Sequence, residues 1–123
     1  MSATRRLHVA VERGLEDKVV EYIVHEGADP NGRDRNGLTP LFNAARHNQP
    51  DIVSALLAFG ATVDKKVNDG YCPLHISAQY NFPAVARELL EESADPDVVN
   101  DRGTPPLFYA AKRGAVDVVK LLL

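Results

Sequence analysis

Leu38-Thr39-Pro40-Leu41-Phe42-Asn43-Ala44-Ala45 returns as Cys72-Pro73-Leu74-His75-Ile76-Ser77-Ala78 and again as Pro106-Leu107-Phe108-Tyr109-Ala110-Ala111. Gly37, Pro40, Leu41, Ala44 and Ala45 are matched by Gly70, Pro73, Leu74, Ser77 and Ala78, then by Gly103, Pro106, Leu107, Ala110 and Ala111, so the period is 33 residues. A period of this size means one supersecondary unit stacked along an axis, each copy burying its apolar face against its neighbours. The 123 residues therefore read as an array sharing one continuous core, although the length alone would suit a small globular domain.

Within a unit the pattern predicts helix, turn, helix and loop. Thr39-Pro40 supplies an N-cap followed by proline at the first helical position. Leu41, Ala44 and Ala45 then fall at i, i+3 and i+4 and make a narrow stripe of small and medium apolar groups, through which neighbouring helices can approach closely. The helix stops near Asn48, with Gly14, Asn81 and Gly114 at the matching places, all residue types that tolerate a left-handed turn. Pro50 and Pro83 open second helices whose buried faces are Ile52, Val53, Leu56 and Leu57, then Val85, Ala86, Leu89 and Leu90, then Val118, Val119, Leu122 and Leu123. The turn-rich stretches that follow, Gly27 to Asn31, Gly60 to Asp64 and Ser93 to Asp97, lead into an extended, hairpin-like loop that ends at the next glycine.

These segments resemble the T-P-L-H-x-A-A signature of ankyrin repeats, and Gly27-Ala28-Asp29-Pro30-Asn31 resembles the loop that closes such a repeat. The resemblance covers almost the whole chain and implies an all-α ankyrin-repeat solenoid of stacked helix-turn-helix units joined by β-hairpin-like loops. Residues 1–123 divide into an amino-terminal capping repeat (1–33), two complete repeats (34–66 and 67–99) and a truncated fourth unit (100–123). The first unit has one extra residue between its helices, since Gly14 to Gly27 spans 13 residues where Asn48 to Gly60 spans 12. The sequence stops at Leu121-Leu122-Leu123, where a solenoid end calls for a polar face, so the expectation is that the chain is part of a longer protein.

The signature drifts in places. His75 alone of the three signature copies fills the histidine position, with Phe42 and Phe108 in the others. The resemblance implies that such a histidine hydrogen-bonds between repeats and that phenylalanine replaces this link by ring burial. Cys72 and Pro105 stand where Thr39 stands, so the hydroxyl cap is lost in those units.

Composition narrows the function. Hydrophobic residues at 45% and charged residues at 25% fit an ordinary folded protein, and fourteen basic against seventeen acidic residues leave a net charge of −3, which makes no case for nucleic acid as ligand. From Val67 to Val99 the only Lys or Arg is Arg87, against six acidic residues. No apolar run approaches the roughly 18 residues of a membrane span, and Thr4-Arg5-Arg6-Leu7 fails as an export signal because Glu12 and Arg13 interrupt its apolar stretch. The single cysteine, Cys72, cannot form an internal disulfide, so the reading is a reducing compartment, cytoplasm or nucleus.

Cys72 and His75, three apart, raise the idea of a thiol and base pair, but nothing in register supplies an orienting group. The acidic loops fail the calcium-loop pattern, since Asp34 stands where glycine is needed and Pro40 where glutamate is needed. His8, His25, His47 and His75 lack zinc spacing, and no phosphate-binding glycine loop occurs. Neither enzyme, metal nor cofactor is expected, and Glu88, Glu91 and Glu92 read as a solvated outer face.

What remains is a binding surface. The resemblance implies a concave groove lined by first-helix ends, here Glu12 and Arg13, Arg46 and His47, Gln79 and Tyr80, Lys112 and Arg113, and by hairpin tips, here Arg35, Asn36 and Leu38, Asn68, Asp69 and Tyr71, Asp101, Arg102 and Thr104. Unlike the framework, these positions differ from copy to copy. Tyr71, Tyr80, Arg46 and Arg113 are of the types enriched at interface hot spots. The expectation is a non-enzymatic module, monomeric rather than obligately oligomeric, that binds another protein, with Tyr71 and Tyr80 as apolar anchors and Arg46, Lys112 and Arg113 pairing with acidic groups. The alternative is a regulatory or targeting domain of a larger enzyme or channel.

Overall fold

Thr39 starts the first helix of its unit in extended backbone (φ −82°, ψ 159°), and its Oγ1 accepts from the Phe42 N–H at 3.2 Å. Pro40 follows at the first helical position, and Leu41, Ala44 and Ala45 are buried on the stripe read from the sequence. Asn48 then turns left-handed (φ 55°), as do Gly14 (69°), Asn81 (58°) and Gly114 (76°). The computed structural model describes residues 1–123, and this pattern yields eight α-helices: α1 Ala3–Glu12, α2 Glu16–Glu26, α3 Pro40–Arg46, α4 Pro50–Ala58, α5 Pro73–Gln79, α6 Pro83–Glu91, α7 Pro106–Arg113 and α8 Val116–Leu122. There is no β-strand. The extra residue of the first unit is absorbed by a longer second helix, eleven residues in α2 against nine in α4 and α6.

Helices pair within units (α1 with α2, α3 with α4, α5 with α6, α7 with α8) and stack between them. The first helices α1, α3, α5 and α7 form one layer, and the second helices α2, α4, α6 and α8 form the other. One apolar cluster runs from Leu7 and Val11 through Leu41, Val53, Leu74 and Val85 to Ala110 and Val118. Of the face expected in α8 only Val118 is fully buried; Val119 and Leu122 are half-buried against the core and Leu123 is exposed.

The loops are hairpin turns in which the same main-chain bond recurs at the 33-residue step. Asp34 N–H donates to Leu38 O (2.9 Å), Val67 N–H to Tyr71 O (2.8 Å) and Asn100 N–H to Thr104 O (3.1 Å). Their local chemistry differs. Asp34 Oδ1 accepts from the Asn36 and Leu38 amides, and Asn100 Oδ1 from those of Arg102 and Thr104. Val67 has no such oxygen, and its hairpin instead turns through Asp69 (φ 61°) and Gly70 (φ 78°), two consecutive left-handed residues as in a type I′ turn.

Successive loops are tied together. Arg33 Nη2 donates to Lys66 O (2.8 Å), and 33 residues on Lys66 Nζ donates to Val99 O (3.0 Å). Asn68 Nδ2 donates to Asn36 O (2.8 Å) and Asp101 N–H to Asp69 O (3.0 Å). Asn31 Oδ1 accepts from Thr62 N–H (2.8 Å), and Asp64 Oδ2 accepts from Asp95 N–H (3.1 Å).

Two glycines separate backbone strain from crowding. Gly103 (φ 74°) has nothing within 4 Å of where a Cβ would sit, whereas at Gly70 (φ 78°) a Cβ would lie 2.8 Å from Asp101 N and 2.5 Å from its Oδ1. Gly103→Ala should therefore cost about 1–2 kcal/mol, the left-handed penalty alone. Gly70→Ala should cost clearly more, because it also pushes apart two hairpins; urea denaturation of both variants measures the difference.

Candidate functional site

Hairpin and first-helix residues together line two cavities, one between α1 and the first hairpin and one between the second and third units. Arg35 and Asn36, Asn68 and Asp69, and Asp101 and Arg102 are exposed at three successive tips, and Arg46, His47, Gln79, Tyr80, Lys112 and Arg113 are exposed at the ends of α3, α5 and α7. Leu38 and Tyr71 are half-buried where each hairpin turns back toward its helix.

Arg46 is held from behind. Asp34 Oδ2 accepts from Asn43 Nδ2 (3.2 Å), and Asn43 Oδ1 accepts from Arg46 Nη2 (2.9 Å). Burial by itself pushes the Asp34 carboxyl up, but the N–H donors of Leu38, Asn43 and Asn36 outweigh it and hold the group below the usual carboxylate range. The guanidinium is thus positioned by a neutral amide and keeps its remaining N–H groups for other acceptors.

In the fourth unit the equivalent residues build a different device. Asn100 Nδ2 donates to the Tyr109 hydroxyl (2.9 Å), which lies 2.9 Å from the Tyr71 hydroxyl. The Tyr71 ring meets His75 edge-on (5.6 Å between centroids). The polar end of Tyr71, the residue expected as an apolar anchor, is thus committed to Tyr109, and the residue itself is half-buried. Tyr80 is exposed and stacks on Phe82 at 5.9 Å.

Between the second and third units the groove deepens into a cleft of about 280 Å³, lined by Leu38, Phe42, Val67, Asn68, Tyr71, Ile76 and Gln79. Leu38, Asn68, Tyr71 and Gln79 were named from the sequence; Phe42, Val67 and Ile76 were not. Ile76 shares a column with Asn43 and Tyr109, which differs in every copy as the hairpin tips do, and that variation is the signal that points to it. A second cavity, about 540 Å³ and polar, lies between α1 and the first hairpin and involves Arg5, His8, Glu12, Arg35 and Asn36.

Histidine and phenylalanine behave unequally in their shared column. Phe42 is buried (6% exposed) as the resemblance implied, but Phe108 is 52% exposed, edge-on to Tyr109 with Lys112 Nζ 6.0 Å from its ring. The ring-burial expectation fails there because no helix packs across that face of α7. His8 occupies this column in the first unit, offset by the extra residue; its Nε2 lies 2.7 Å from Gly32 O, and its Nδ1 has no partner.

Cys72 and His75 are not arranged as nucleophile and base. His75 Nδ1 accepts from the Cys72 main-chain N–H (3.0 Å), so Nε2 carries the proton and donates to Thr104 O (2.9 Å), linking the third unit to the fourth. The Cys72 thiol faces Asp64 O at 3.4 Å, and burial, aided by Asp64, pushes it up to about 11. Burial lowers His75 below the ordinary imidazole value of 6.5. No group of three or more His, Cys, Asp or Glu is gathered to hold a metal ion, and no helix is long and apolar enough to cross a membrane.

Because the folded chain resists a proton at His75 that the unfolded chain accepts, the associated stability is complete above pH 6.5 and declines as the pH falls below it. His75→Phe should flatten that part of the stability-pH curve while costing about 1–3 kcal/mol at pH 7.5 for the two lost links, read from denaturant midpoints across pH. For Cys72, the rise from 9.0 to about 11 cuts the thiolate fraction at pH 8 about hundredfold. Native protein should accordingly alkylate with iodoacetamide at least about a hundred times more slowly than protein in urea.

A family model described as ankyrin repeats (3 copies) matches residues 7–100, and one described as ankyrin repeats (many copies) matches residues 81–123. An ankyrin repeat protein of Rickettsia felis is 33% identical over 46 residues, covering 37% of this chain and 17% of that protein. An ankyrin repeat, SAM and basic leucine zipper domain-containing protein of Dasypus novemcinctus is 40% identical over 52 residues, covering 40% of this chain and 11% of that protein. The chain thus spans less than a fifth of the length of either curated relative. Ankyrin repeats are in general non-enzymatic modules of protein–protein interaction. With its 33-residue period, its two helical layers and a family match over most of its length, the chain belongs to the ankyrin-repeat family.

Proposed function

We propose that this chain is a binding module that seats a segment of another protein in the groove between its hairpin tips and first helices. The observation that carries this reading is the cleft between the second and third units, where Leu38, Phe42, Val67, Tyr71 and Ile76 make five of seven lining residues apolar on an otherwise polar face. Arg46, held by Asn43, and Lys112 and Arg113 at the end of α7 flank it with cations for acidic groups of the partner. Tyr80, exposed beside Gln79, adds an aromatic contact at its mouth. Hairpins bonded to one another lose little entropy when a partner docks. We place the module in a reducing compartment, cytoplasm or nucleus, and as a monomer, with its lone thiol buried.

A second reading makes the array the regulatory or targeting part of a larger enzyme or channel. What favours a multidomain setting is that one relative carries, by name, SAM and basic leucine zipper domains beside its ankyrin repeats.

The groove reading is tested by capture of a partner on immobilised chain. The charge reversals Arg46→Glu and Arg113→Glu, and Gln79→Glu at the cleft mouth, should each weaken capture about tenfold or more, the scale of a moderate hot spot. The thermal midpoint should not move for Arg113→Glu or Gln79→Glu, whose side chains are exposed, while Arg46→Glu, which loses Asn43, should be destabilised by no more than the roughly 1 kcal/mol of one hydrogen bond. Glu91→Lys on the opposite helical layer should leave capture unchanged. Equal capture by all four variants would remove the groove as the binding site.

A further inference from the structure

The amino-terminal end of the groove has a different chemistry from the cleft one unit further on. Of the residues lining the 540 Å³ cavity only Val9 is apolar. Its charged groups are not all available. Both Asp34 oxygens accept from amides, and Arg33 donates to Gly37 O (2.9 Å) and Lys66 O (2.8 Å). The protein's ion pairs are Arg6 with Glu26 and Lys18 with Glu21, so Arg5, Arg35 and Glu12 remain uncommitted. Arg5 on α1 and Arg35 on the hairpin tip belong to opposite walls, while Glu12 stands two turns along α1 from Arg5. Two free guanidiniums against one carboxylate favour an anionic occupant, and a planar carboxylate is the group guanidinium recognises best.

The next cleft carries no charge: Leu38, Phe42, Val67, Tyr71 and Ile76 with the amides of Asn68 and Gln79. The two sites are one helix layer apart, about 10 Å at usual helix packing distances. An extended chain at about 3.3 Å per residue covers that span in about three residues. Asp69 stands at the following tip, so of these two neighbouring tips only the first, with Arg35, attracts an acid.

We infer that the partner segment is an extended stretch of chain in which an acidic side chain, gripped between Arg5 and Arg35, stands three residues from a large apolar side chain seated in the cleft. This rests on the groove reading above and adds to it the chemistry and spacing of what the groove selects.

The test is a displayed library of random twelve-residue peptides panned on the intact chain. Enriched peptides should carry Asp or Glu three residues from Leu, Ile, Met or Phe. Replacing that acid by its amide should weaken binding about tenfold, and Arg5→Glu with Arg35→Glu should abolish the preference for acid; Glu12→Gln should strengthen binding. Arg5 and Arg35 are exposed, and Arg5→Gln with Arg35→Gln repeats the test should the reversed charges disturb folding. Absence of enrichment, enrichment without the acid or at unrelated spacings, or peptides indifferent to both arginines overturns the inference. Peptides weakened by Gln79→Glu but indifferent to Arg5 and Arg35 would leave the groove reading standing and end the motif; peptides indifferent to every groove variant would end both.

Discussion

Close approach of the first helices is the constraint on which the structure depends. Ala44, Ala45, Ser77, Ala78 and Ala110 sit at or near zero exposure between α3, α5 and α7, and a larger side chain at any of them would force two layers apart. Serine is accepted because Ser77 Oγ donates to Leu74 O (2.8 Å) in its own helix, which satisfies the hydroxyl without a partner from the next layer. With the helices this near, successive hairpins come within hydrogen-bonding distance, and the ties from Arg33 to Lys66 and from Lys66 to Val99 follow.

That arrangement separates two jobs along each unit. Positions facing a neighbouring layer are restricted in size, while the hairpin tips, the first-helix ends and the column of Asn43, Ile76 and Tyr109 differ from copy to copy. The same column does three things in three units. Asn43 positions an arginine, Ile76 lines an apolar cleft, and Tyr109 ties Asn100 to Tyr71. A uniform scaffold thus carries a surface with a polar, basic-edged end and an apolar middle.

Much of this was legible in residue types. The period, the proline starts and the four left-handed stops at Gly14, Asn48, Asn81 and Gly114 follow from local backbone preferences, which short segments carry in full. What escaped depends on partners far apart in the chain. The half-buried state of Tyr71 is set by a hydroxyl 38 residues away, and the exposure of Phe108 by the lack of a packed helix on that side of α7. Phe42, Val67 and Ile76 were not named as site residues because apolar residues on a short helix or loop do not announce which way they open. The left-handed Asp69 was hidden for a related reason: it answers an absence, the missing side-chain oxygen at Val67.

Contacts between layers run only from each unit to the next, and this governs how the array responds to load. A pull along the stacking direction meets no strand or helix that crosses several layers, so resistance is divided into steps of one unit each. Each step parts one pair of first helices and one pair of second helices, such as α3 from α5 and α4 from α6. Mechanically the array is a row of springs joined end to end, each stretching through its own interface.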